Sequence, residues 1–140
     1  MKKLFAPGND SALTSFALLA LRLWLGLTML LEHGMEKIQD FSNIAPHFPD
    51  PLHVGQNLSL GLVAFAETAG AILLALGLLT RFGALTLVID LGVAFFMVHK
   101  TIGSGELAFI YLAGFATLLI AGGGKFSVDK ALFGKGGSGK

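Results

Sequence analysis

Arg22, Glu67 and Asp90 each stand inside a long apolar run of this 140-residue chain, and each is a group whose charge a bilayer resists. Arg22 lies nine residues before Leu31, Glu67 nine after Leu58, and Asp90 eight before Val98. At about 1.5 Å of helical rise per residue, all three fall roughly 12–14 Å deep. One ionisable side chain at that depth costs about 2.5–3.5 kcal/mol on insertion scales, so three at one level imply a shared polar cluster. The partner expected for Glu67 is Arg22. One arginine cannot neutralise two carboxyls, so Glu67 and Asp90 are both candidate proton acceptors, and one of them is expected to keep its proton. The alternatives stay open: Arg22 and Glu67 can form a structural ion pair, and Asp90 can serve only as a hydrogen-bond donor to a backbone carbonyl.

A second set of polar residues extends the cluster towards one membrane face. With about 100° of turn per residue, Arg22, Met29, His33 and Glu36 fall within about 40° of one line, with Lys37 at its edge. His99, Lys100 and Glu106 flank a later loop at the same side. His33, Lys37, His99 and Glu106 therefore join Arg22 and Glu67 as candidate substrate-binding residues. His33, His99 and Glu106 are metal-ligand types, but no H-x-x-x-H spacing accompanies them, so no metal is expected. No residue can be assigned a catalytic role. Trp24 is too deep for an interfacial belt and is expected to pack in the interior or wall a pocket.

These residues need a membrane to make sense of them. The chain is 54% hydrophobic and 14% charged, against roughly 25% charged in soluble domains, and its mean hydropathy is +0.73. A net charge of +1 gives no electrostatic case for a nucleic-acid partner. The absence of cysteine excludes thiol–disulfide, iron–sulfur and covalent haem c chemistry within the chain. Lys2 and Lys3 precede an apolar stretch, as in a signal peptide, but Leu13–Leu31 is too long for one and reads as a span.

Four spans are expected: Leu13–Leu31, Leu58–Leu79, Phe82–Val98 and Leu107–Ala121. A tight Thr80-Arg81 turn joins the second and third. Lys2, Lys3, Arg81, Lys125, Lys130, Lys135 and Lys140 collect on one side, so both termini are expected to be cytoplasmic. The segment Glu32–Phe41 can continue the first helix, and Pro46, Pro49 and Pro51 prevent helix beyond it. Ala66-x-x-x-Gly70 gives the Glu67 face a small-residue contact surface. The expected architecture is an all-α antiparallel four-helix membrane bundle over residues 1–133, followed by a low-complexity Gly/Ser/Lys tail at 134–140 that is expected to be disordered.

The order of several short motifs resembles the DoxX family of small four-helix membrane proteins. They are Arg22-x-x-x-Gly26, His33-Gly34-x-x-Lys37, Glu67-x-x-Gly70, Gly77-Leu-x-Thr80-Arg81, His99, Glu106 and the run Gly122-Gly-Gly124-x-x-Ser127-x-Asp129. The last resembles G-P-G-x-x-S-x-D with Gly123 in place of proline, and Asp90 stands where the family pattern would have an apolar residue. The resemblance implies a multi-pass protein of a bacterial-type inner (plasma) membrane. It also implies a subunit of a quinone-linked redox system, with quinone as the cofactor or substrate, and a partner redox subunit or a homo-oligomer. The alternatives are a non-catalytic scaffold for redox partners, or a proton-coupled transporter working as an oligomer. Whether the chain is itself an oxidoreductase stays open.

Overall fold

The computed structural model describes residues 12–134, and among them the secondary structure is entirely helical. Four helices are long and apolar enough to cross a membrane: α1 (Ala12–Gln39), α3 (Gln56–Leu76), α4 (Thr80–His99) and α5 (Ile102–Ala121). The short helices α2 (Phe41–Ile44) and α6 (Val128–Phe133) follow α1 and α5. The tail at 135–140 and the N-terminal Lys2 and Lys3 lie outside the described residues. Large apolar side chains such as Leu13, Phe16, Leu62, Ile89 and Ile120 point outward from the bundle, as lipid-facing positions do. In α3, 44% of the apolar stretch is buried, against 17% in α5, so α3 is the central helix.

Small residues set the packing. A Cβ on Gly26 would approach Ala71 O at 3.1 Å, one on Gly34 would meet Glu67 O at 2.6 Å, and one on Gly83 would meet Gly70 O at 2.8 Å. Helices α1, α3 and α4 thus touch backbone to backbone, as membrane helices do where small residues align. The expected Ala66-x-x-x-Gly70 surface is used in this way, with Gly70 against Gly83 and Thr86 of α4. The apolar core beneath is built by Met29, Leu74, Leu87, Leu91, Phe115 and Leu118.

Two expectations about boundaries need correction. The α3–α4 connection is Gly77-Leu78-Leu79, with Gly77 and Leu79 at φ +71° and +47°, and Thr80-Arg81 opens α4 instead of forming the turn. The first helix runs on to Gln39 as one 28-residue element, about 42 Å long. Its contacts set its register. Arg22 lies against Gly77, Gly26 against Ala71 and Ala75, and Gly34 against Glu67. The residues level with the second half of α3 are therefore 22–34, and the helix continues past Leu31.

Three of the four long helices contain a π-helical turn: Met29–Gly34 in α1, Ala66–Gly70 in α3 and Ala94–His99 in α4. A π turn adds a residue to the helical cycle and often marks a functional position. In α1 the extra residue retards the phase by about 100° beyond it. Lys37 takes the inward position and Glu36 becomes exposed, so the inward stripe ends in Lys37 rather than Glu36.

Candidate functional site

The polar residues separate into two clusters at opposite ends of the bundle. Glu67, only 5% exposed, faces α1 and accepts an ion pair from Lys37, whose Nζ lies 2.6 Å from Oε2. Arg22 is not its partner. Glu67 lies nine residues, about 14 Å along the helix axis, from Leu76, and Arg22 sits just beyond that end of α3. The expectation of equal depth failed because Leu31 was taken as the end of the first span. Glu32, Glu36 and Lys37 made the following turns look extramembranous, although Lys37 turns inward to Glu67.

Around the Lys37–Glu67 pair is a cavity of about 770 Å³. This falls within the usual range for small-molecule sites, roughly 300–1,000 Å³. Met29 and His33 of α1, Leu62, Val63 and Ala66 of α3, Ile89, Asp90 and Val93 of α4, and Ala108 and Tyr111 of α5 line it. Phe48, Pro49, Pro51 and Leu52 of the α2–α3 loop close over it, and His99 with Ser104 stands at its edge. Asp90 presents a buried Oδ2 with no hydrogen-bond partner, and the charged groups near enough to act on it are Glu67 and Lys37. His33 meets the edge of Tyr111 with ring centroids 5.8 Å apart, and Tyr111 stacks on Phe115 at the same separation.

Of the candidate binding residues, the cavity brings together His33, Lys37, Glu67 and His99, with Asp90 added. Arg22 and Glu106 do not line it, and Glu106 is exposed. Among the described residues no three His, Asp or Glu side chains gather as metal ligands. Trp24 is 75% exposed on the outer face of α1, so it neither packs inside nor walls the cavity. Tyr111 and Ser59 were not foreseen. Tyr111 had a signal, as the single tyrosine of the chain placed inside an apolar span, where its hydroxyl needs a polar neighbour.

At the other end, where both described termini lie, the polar residues form a closed lock. Arg22, 1% exposed, donates from Nη1 to Gly123 O and from Nη2 to Phe126 O at 3.0 Å. The Asp129 carboxylate accepts from Leu79 N at 2.7 Å, Thr80 N at 2.9 Å and Thr80 Oγ1 at 2.7 Å, capping α4. Its own amide donates to Gly77 O at 2.8 Å. Ser127 caps α6 through Lys130 N and donates to Gly124 O at 2.7 Å. Gly77 must be glycine on two counts. It has φ +71°, and a Cβ there would lie 2.7 Å from Arg22 Nη1. Burial pushes the Asp129 carboxyl up, but the Thr80 and Leu79 hydrogen bonds and the nearby Arg22 charge outweigh it and hold it below the ordinary range.

Asp50 is a smaller device in the loop. Its carboxylate accepts from Ser59 Oγ at 2.7 Å, Gly55 N at 2.8 Å and Val54 N at 3.0 Å, fastening the loop to the first turn of α3. The Ser59 bond chiefly, with the two amides and His53, lowers its pKa against the opposing effect of desolvation.

Four apolar helices with a polar pocket between them define a polytopic membrane protein of four-helix design. Within that class the DoxX family model matches residues 17–100, and the chain belongs to the DoxX family. A Haemophilus influenzae protein described as uncharacterized is 32% identical over 123 residues, covering 81% of each chain. No solved structure matches.

Proposed function

We propose that the cavity at the loop end binds a quinone or a similar small ring compound, as part of a quinone-linked redox system of the bacterial inner membrane. The observation that carries this is a buried Lys37–Glu67 pair and an unpartnered Asp90 oxygen set in an otherwise apolar, partly aromatic wall. That wall suits a flat ring with a few polar substituents and an apolar tail. Leu62, Phe65, Ile89 and Leu107 line the cavity and are more than half exposed. Those positions give a tail a route to the lipid.

A bound quinone supplies two-electron, two-proton chemistry, and a partner redox subunit supplies or removes the electrons. Within this chain, Lys37 donates a hydrogen bond to a ring oxygen and Glu67 keeps the ammonium in place. Asp90 holds or releases a proton at its Oδ2, and His33 and His99 carry protons between the cavity and the loop end. The loop end faces outward and the termini face the cytoplasm, in keeping with the lysine distribution.

The test is equilibrium binding of a fluorescent quinone analogue to the protein in lipid nanodiscs. Micromolar binding is expected in the wild type. Lys37→Met and Glu67→Gln should each weaken it at least tenfold while the protein stays folded. No binding to well-folded protein overturns the proposal.

A further inference from the structure

The cavity holds two carboxyls and one ammonium group. Glu67 is matched by Lys37 at 2.6 Å, but the buried Oδ2 of Asp90 has no hydrogen-bond partner. Every ionisable wall group can be named: His33 and Lys37 from α1, Glu67 from α3, Asp90 and His99 from α4, and Tyr111 from α5. Lys37 is the amine among them and is engaged by Glu67. With both carboxyls ionised, the pair and Asp90 sum to one net negative charge. A carboxylate in such surroundings is costly unless a cation accompanies it. Two arrangements satisfy Asp90: a proton on its own oxygen, or a cation seated in the cavity beside it.

The second arrangement defines a class of ligand. Compact inorganic cations would have to shed their water in an apolar chamber that lacks a set of ligating oxygens. A lipophilic monocation has a diffuse, weakly hydrated charge and apolar bulk that matches Leu62, Val63, Phe65 and Ile89. Tyr111 and Phe48 add aromatic rings to the wall, and aromatic rings favour a cation over a neutral molecule of the same size. About 770 Å³ accommodates a drug-sized ion. The route from the lipid past the half-exposed Leu62, Phe65 and Ile89 is open to amphiphiles that partition into the membrane.

We propose that Asp90 makes this cavity a binding site for lipophilic monovalent organic cations, taken in exchange for a proton. The balance is one for one. The Asp90 O–H bond breaks, the proton leaves to water, and the carboxylate formed pairs with the incoming cation without any covalent bond being made. The Lys37–Glu67 pair stays intact throughout and keeps Glu67 from competing for the ligand. A neutral ring compound and a cation would thus occupy the same chamber with Asp90 in different protonation states. This inference rests on the geometry of the cavity and not on the quinone proposal.

The probe is tetraphenylphosphonium, with uncharged triphenylphosphine oxide as the control, measured against the full chain in nanodiscs between pH 6 and 8.5. Wild-type affinity for the cation is expected to rise with pH, by up to about tenfold per unit, with about one proton released per cation bound in weakly buffered solution. The uncharged control should show no such dependence. Asp90→Asn should weaken the cation at least tenfold and abolish its pH dependence. Proton release in the wild type tests the inference even if Asp90→Asn fails to fold. Cation binding that is independent of pH, unchanged in Asp90→Asn, or no stronger than that of the control overturns it. Binding of the quinone analogue with no cation binding overturns this inference alone, and the reverse result overturns the quinone proposal alone.

Discussion

The two ends of the bundle use the same kinds of residue for opposite purposes. At the terminal end Arg22 and Asp129 are tied to the backbone of neighbouring segments. The guanidinium holds two backbone carbonyls, the carboxylate holds two amides and a hydroxyl, and Gly77 against Arg22 and Gly123 against Ser127 and Thr80 lie too close to admit a side chain. At the loop end Lys37 and Glu67 hold each other, Asp90 holds nothing, and the space beside them is a cavity. A buried charge held by several backbone groups of its own chain is committed to the fold. A buried acid with no such bonds made is poised for a ligand. The difference teaches that depth in the membrane and residue type do not by themselves distinguish a strut from a site; completeness of hydrogen bonding does.

Substitution of Arg22 is the most severe way to test this contrast. Arg22→Ala should cost about 3–5 kcal/mol, because it removes a fully buried side chain and takes the donor from the Gly123 and Phe126 carbonyls. The measure is unfolding in mixed detergent, and a loss below 1 kcal/mol would mean that the lock holds nothing. Gly77→Ala should follow at about 2–3 kcal/mol, from positive-φ strain together with the clash on Arg22 and Ser127. Neither change should alter the affinity of ligands for the cavity in protein that still folds.

At the loop end the order of effects should invert. Lys37→Met is expected to destabilise the fold by about 1–3 kcal/mol through the unpaired Glu67. The double change Lys37→Met with Glu67→Gln should recover most of that loss, since a buried pair contributes little net stability. Both variants should lose ligand affinity by at least tenfold, about 1.4 kcal/mol. A double mutant as unstable as the sum of its singles would mean that the pair is structural after all.

Acid should act on the lock before it acts on the packing. The Asp129 carboxyl has its folded pKa depressed below the unfolded value of about 3.9. Its contribution is therefore complete above about pH 5 and is lost as pH falls through the folded pKa. Melting temperatures followed from pH 6 to 3 should fall more steeply in the wild type than in Asp129→Asn, and parallel slopes would contradict the assignment. The smallest effect is expected from Asp50→Ala, which should speed amide hydrogen exchange at Val54 and Gly55 and leave the rest of the bundle unchanged.

Much of this could be read in the order of residues. Four apolar runs give four helices, since only a helix satisfies its own backbone in lipid, and Pro46, Pro49 and Pro51 end regular helix between α1 and α3. The inward phase of His33 and the small-residue face of Glu67 followed from helical periodicity. The motifs Gly77-Leu-x-Thr80-Arg81 and Gly122-Gly-Gly124-x-x-Ser127-x-Asp129 were visible as patterns, but their meaning was not. That Asp129 caps the helix opened by Thr80 is a contact across 49 positions, which no local spacing expresses.

The sequence by itself determined that this is a four-span membrane protein with too many ionisable groups to leave unexplained, because hydrophobic length and the cost of charge in lipid are local quantities. Which of those groups meet was decided only by the tertiary structure. The register of α1 against α3 depends on glycine contacts between distant segments, and one π turn in α1 exchanges Glu36 for Lys37 on the inner face. Those two facts move Arg22 out of the cluster and Lys37 into it. They leave Asp90 as the acid without a partner, beside the cavity.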